Sequence, residues 1–223
     1  MSIFDVLKRA AKNGVSNAIS SSVSNAKGNV ASSINHAVND LTDKAKDGIK
    51  KAVNNKTKKF KFEKLPETLE ELKALPEAKL TDYFATAALA VIALDVCSTN
   101  FEEGEKMLDF LNGPNTFSES DRQFIKGQFS EGRNYIARSY FEGATPENNY
   151  TPSTPYKIEV TESTYSKENY DEGYITLYLE SGGADGLRPI FLRTKKSTGE
   201  WFVNDYRGVL VGIRKSKDQD DWA

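Results

Sequence analysis

The chain has 223 residues, 38% of them hydrophobic and 28% charged, with a formal net charge of −2, enough for one domain with an extension or for two small ones. Its single cysteine, Cys97, excludes an internal disulfide; its single histidine, His36, excludes a Ser-His-Asp triad or Cys-His pair in the body and leaves no usual zinc set. The near-neutral total hides a split: residues 1–61 hold twelve Lys/Arg against four Asp/Glu, whereas residues 62–223 hold eighteen against twenty-eight, so a basic arm precedes an acidic body.

The arm repeats itself. Val15, Val30 and Ala45 are fifteen residues apart, as are Ile19, Ile34 and Ile49, and Val23, Val38 and Val53. With Ala26 and Leu41 they form an apolar stripe at the three-and-four spacing of an amphipathic helix. Fifteen residues over four turns is about 3.75 per turn, above the ~3.6 of a straight helix, so the stripe drifts opposite in hand to a heptad seam. The stripe is thin, and Gly14, Gly28 and Gly48 each cost about 1 kcal/mol relative to Ala in a helix. The arm is therefore expected to become helical only when something covers the stripe: an anionic membrane surface, a partner helix, or a second copy of the arm. A solvated tail is the alternative. Asn54–Lys64, with five lysines, reads as the linker.

In the body, Pro66 followed by Glu67, Glu70 and Glu71 marks a helix start, and that helix should stop before Pro76. Thr81-Asp82 can cap a second helix reaching about Cys97, apolar nearly all round and so buried centrally. The run Tyr83–Leu94 is too short to span a bilayer, and the N-terminal stretch lacks the apolar run of a signal peptide. The expected location is cytoplasmic, with peripheral attachment through the arm as one option. A third helix spans about Glu102–Leu111 and closes at Asn112-Gly113-Pro114; Ser118 and Asp121 open a fourth.

The period then changes to two. Tyr156–Val160, Tyr174–Leu179, Pro189–Arg193, Glu200–Val203 and Gly208–Ile213 are strand candidates joined by short Gly-containing connectors, which implies an antiparallel meander. Helices followed by strands give an α+β fold: a helical N-terminal half packed on an antiparallel meander, preceded by an amphipathic helical arm. The domain reading is 1–61 for arm and linker and 62–223 for the acidic α+β domain.

Chemistry is sparse. Gly182-Gly183-Ala184-Asp185-Gly186 lacks the Lys-Ser/Thr of a phosphate loop and the spaced carboxylates of a calcium loop, so it reads as a hairpin turn. Cys97, ending an apolar helix, reads as an inert buried thiol. No catalytic residue, metal site or cofactor is expected. The most unusual segment, Ser139–Pro152, joins helices to sheet. Its aromatics either fill the helix–sheet seam or belong to a binding loop presenting Tyr140, Glu142, Asn148, Asn149 and Tyr150. Trp222, beside Asp220 and Asp221, is expected to be covered.

Residues Phe62–Ala223 resemble an uncharacterised bacterial domain of unknown function found in anaerobic Gram-positive bacteria. The resemblance rests on Leu65-Pro66-Glu67-Thr68, the run Asp82–Leu94, Tyr140–Pro152 and the ending Asp221-Trp222-Ala223. Members often place Pro after the last Asp, where this chain has Asp220-Asp221. The resemblance supports the domain boundary and implies no activity.

The function expected from the sequence is a non-enzymatic binding or adaptor protein whose basic arm, residues 1–55, engages an anionic surface or partner helix. The alternative is an enzyme of unfamiliar type using carboxylate, Tyr and Arg residues of the α+β domain. A nucleic-acid partner is not expected, because residues 1–61 offer only Phe4 and Phe60 for base stacking.

Overall fold

The computed structural model describes residues 56–220. The expected helical arm, and the expected cover over Trp222, lie outside the described residues.

The architecture is α+β. A five-stranded, wholly antiparallel sheet runs in the order β1 (Lys56–Phe62), β2 (Tyr156–Glu162), β3 (Tyr174–Leu179), β4 (Arg188–Lys195) and β5 (Glu200–Asp205). The connection from β1 to β2 carries α1 (Leu69–Lys73), α2 (Tyr83–Thr99), α3 (Phe101–Asn112), α4 (Glu119–Gln128) and α5 (Tyr135–Arg138); a short α6 (Arg207–Leu210) follows β5. No helix among the described residues is long and apolar enough to cross a membrane.

The helix starts follow their capping chemistry. Thr68 accepts from the Glu71 amide, and Asp82 accepts from the Phe84 amide at 3.0 Å. Ser118 and Asp121 form a reciprocal capping box, each side chain accepting from the other's backbone N–H at 3.1 Å. The first-turn acids Glu70, Glu71, Glu102, Glu103 and Glu119 sit at the positive ends of their helices.

Helix α2 is buried on every side from Phe84 to Cys97. Its few polar groups are accounted for. Thr86 donates to the carbonyls of Asp82 and Trp201, and Asp95 accepts from Arg138 at 3.1 Å. Burial nonetheless holds the Asp95 carboxyl above its ordinary range, against the pull of Arg138. Helix α3 crosses α2 at Gly104, where a Cβ would collide with the backbone nitrogen, Cα and Sγ of Cys97.

On the sheet face turned to the helices, alternate residues are buried: Ile158 and Val160, Ile175, Leu177 and Leu179, Ile190 and Leu192, Trp201 and Val203. The period-two pattern therefore reports the sheet correctly over β2 to β5.

Two sequence expectations fail. The supposed linker is a strand from Lys56 onward, paired with β2 in the register Thr57↔Thr161, Lys59↔Glu159 and Phe60↔Ile158. Phe62 is buried and Phe60 packs against the core, while the Lys58 ammonium lies 4.9 Å from the Phe84 ring centroid and 2.7 Å from Asp82. Its lysines keep their stems on the fold and their heads in water, so charge density alone gives the wrong reading.

The second failure is Gly208–Ile213, which is not a strand. After β5 the chain turns into α6, burying Val209 and Leu210. The reason lies in β5, whose outer edge is already occupied at Trp201. The Trp201 amide donates to the Leu80 carbonyl at 2.7 Å, and the Trp201 carbonyl accepts from Thr86. No edge remains there for a sixth strand.

Two outcomes are expected. Brief trypsin digestion of the native chain spares the bonds after Lys58, Lys59 and Lys61, because all three lie in a paired strand; mass spectrometry of the fragments would reveal early cleavage there if the strand frays. Gly104→Ala removes a poor helix former yet costs about 1–3 kcal/mol through overpacking against the Cys97 backbone. Denaturant melts check the sign: a stabilised variant would mean the α2–α3 crossing relaxes freely.

The crossover cleft, a candidate binding site

The segment from Ser139 to Pro155 leaves the helical layer and enters β2. Its path is fixed at several points. The Ser139 carbonyl accepts from the Gly182 amide at 2.8 Å, and the Ser139 hydroxyl accepts from Ser181 at 2.7 Å. Phe141 bridges to Ile158, and the Glu142 amide donates to the Lys157 carbonyl at 2.9 Å. The crossover thus reaches β2 before its own strand begins.

Its aromatic residues point inward. Tyr140 is 3% exposed and donates to the Val209 carbonyl at 2.7 Å. Tyr150 is fully buried, stacks on Tyr135 with ring centroids 4.9 Å apart, and donates to the Arg214 carbonyl at 2.7 Å. Burial pushes the Tyr150 hydroxyl up to about 12 and raises Tyr140 as well. Neither phenol is suited to give up a proton near neutrality.

The two asparagines hold the loop together. Asn148 accepts from the amides of Thr145 and Thr151 and donates to the carbonyls of Gly143 and Thr151, so its hydrogen-bonding capacity is used within the loop. Asn149, with φ of 53°, exchanges two hydrogen bonds with Asp218. These contacts tie the crossover to the C-terminal segment.

Glu142 differs. Its carboxylate accepts from Lys59 at 2.8 Å and from Lys157 at 3.2 Å, while Lys59 also lies 3.7 Å from Glu159. These groups line an open cleft of about 270 Å³, whose rim includes Glu180 and Ser181. The Lys59 and Lys157 ammoniums hold Glu142 below the usual carboxylate range, and Glu142 in turn raises Lys59.

The five residues singled out in the sequence therefore do not form one exposed set. Glu142 and Tyr140 line the cleft; Asn148 and Asn149 knit the loop; Tyr150 belongs to the core. Sequence reasoning missed Lys59 and Glu159, which face each other across the β1–β2 pair. The available signal was the alternation Thr57, Lys59, Lys61 against Phe60 and Phe62. Among the described residues, no group of three or more His, Cys, Asp or Glu side chains could hold a metal ion. Cys97 is buried, and burial pushes its thiol well up.

A family model for a domain of unknown function (DUF6935) matches residues 64–217. The match begins just after β1 and takes in helices α1 to α6, the crossover and strands β2 to β5. No curated protein and no solved structure matches the chain.

The Glu142 pairing gives the cleft a defined pH signature. A carboxylate held lower in the folded chain contributes stability above its unfolded range, and that contribution is lost as pH falls through the folded value. Because the pair is largely exposed, its contribution is at most about 1 kcal/mol. Glu142→Gln should melt below the parent at pH 7, and the gap should close as pH falls below about 4. A gap independent of pH would mean that the loss comes from packing.

Proposed function

We propose, from the premise that the chain belongs to the DUF6935 family, that it is a non-enzymatic binding or adaptor protein. The observation that carries this reading is the charge state of the crossover cleft. Glu142 is held ionised and Lys59 is held protonated, each by the other. A general acid or base works best with its pKa near the operating pH, and this pairing moves both groups away from it. Fixed, opposite charges in an open cleft suit polar recognition.

The second contact region is the arm, and the structure changes its charge. All four lysines of β1 are engaged within the domain: Lys56 and Lys58 over Phe84, Lys59 with Glu142, and Lys61 with Glu63 at 2.7 Å. Residues 1–55 then hold eight Lys/Arg against four Asp/Glu, half the excess counted when β1 was included. Each lysine near an anionic bilayer contributes about 1 kcal/mol, so halving the excess weakens a purely electrostatic attachment. The fifteen-residue apolar stripe is unaffected. We therefore assign the arm to a partner helix, a second copy included, ahead of an anionic membrane surface. The proposed setting is cytoplasmic, supported by the lone cysteine.

Circular dichroism of a peptide spanning residues 1–55 tests the assignment. Helix content should rise with peptide concentration in plain buffer. Helix gained only on anionic vesicles would transfer the arm to a membrane role, and no helix in either would reject both.

A further inference from the structure

A second cleft, separate from the crossover, opens where the loop after α3 meets the β4–β5 hairpin. It measures about 370 Å³ and is lined by Arg193, Lys195, Lys196, Asn112, Glu172 and Phe202, among others. Three cations against one carboxylate leave a local charge of +2 in a domain where acids outnumber bases.

The cations are available. Tyr174, Arg193 and Phe202 stand opposite one another on β3, β4 and β5, and the Arg193 guanidinium lies 5.2 Å from the Tyr174 ring centroid. That contact orients the guanidinium without neutralising it. Among the described residues neither Arg193 nor Lys195 has a carboxylate partner, and Lys196 donates to the Asp171 backbone carbonyl at 2.8 Å.

The second observation concerns Asn112. It is 8% exposed, lines the cleft, and its side-chain amide has no hydrogen-bond partner among the described residues. The amide is therefore free to donate to and accept from a molecule in the cleft. The backbone that places it is fixed: Gly113 has φ of 61°, and a Cβ there would run into the Phe202 ring.

We propose that this cleft binds a small phosphorylated molecule of about sugar-phosphate size. The local charge of +2 matches a phosphate monoester dianion. Arg193 offers the planar fork that grips two phosphate oxygens, with Lys195 and Lys196 as point charges beside it. The free Asn112 amide takes a hydroxyl of the organic part. The cavity lies near the lower end of the usual ~300–1,000 Å³ for small-molecule sites.

The test is an NMR titration of the ¹⁵N-labelled full chain with ribose 5-phosphate, with ribose and malate as neutral and dicarboxylate comparisons, at low and at physiological salt. Ribose 5-phosphate should give saturable shifts at the amides of residues 112–115 and 193–196, and ribose none. Arg193→Gln with Lys195→Gln should weaken binding at least tenfold; both positions are exposed, and unchanged spectra elsewhere verify the fold. Asn112→Ala should weaken ribose 5-phosphate more than inorganic phosphate. Lys196→Gln serves as the comparison if the double variant does not fold. Absence of saturable shifts, shifts confined to residues 1–55, or binding that survives the cleft substitutions would overturn the proposal. Malate binding as tightly as ribose 5-phosphate would overturn the phosphate assignment.

Discussion

The fold rests on covering one helix. From Phe84 to Cys97, α2 has no side that tolerates water, and a helix apolar all round must be enclosed. The enclosure comes from unlike elements. Helices α3 and α5 cover it on the helical side, and β1, β2, β4 and β5 pack against it from the sheet. Small residues set how near the walls come. Ala85, Ala87, Ala88, Ala90 and Ala93 keep the helix narrow, and Gly104 lets α3 approach the Cys97 backbone. Even the blocked edge of β5 follows from this packing, since Thr86 of α2 takes the Trp201 carbonyl.

Much of this was legible in the sequence wherever a local signal agreed with the tertiary demand. Asp82 and Ser118 are cap residues in both readings, Gly113 closes α3, and β3 runs over Tyr174–Leu179 as its alternation requires. The failures occur where local composition and long-range pairing disagree. Lysines on β1 resemble a solvated linker until β2, a hundred residues away, supplies Glu159 and Thr161 across from them. The apolar run Val209–Leu210 resembles a strand until the blocked edge leaves it nothing to pair with. Neither partner is visible from within its own window of sequence.

The candidate site shows the same division. The crossover was recognisable as unusual from its aromatics and prolines, but not the direction in which each side chain points. Tyr140 and Tyr150 turn inward because each phenol finds a backbone carbonyl inside the fold, at Val209 and Arg214. Asn148 and Asn149 spend their amides on the loop and on Asp218. What remains facing water is the charge pattern of Glu142, Lys59, Lys157 and Glu159, and one of those residues, Lys59, comes from a strand the sequence did not announce. A hydrogen-bond inventory settles such questions, and it depends on groups far apart in the chain.

The placement of β1 bears on the order of assembly during synthesis. Thr57 and Thr161, whose hydroxyls lie 3.1 Å apart, are separated by 104 residues, so the first strand of the sheet leaves the ribosome long before its neighbour exists. Contacts of such separation close slowly because the intervening loop must first be ordered. During that interval β1 is an unpaired strand, which another nascent chain could capture. Lys56, Lys58, Lys59 and Lys61 make self-capture repulsive, as edge lysines do in other sheets. The same four charges then find Phe84, Asp82, Glu142 and Glu63 once the domain closes. One set of residues thereby guards the strand while it waits and anchors it when it docks.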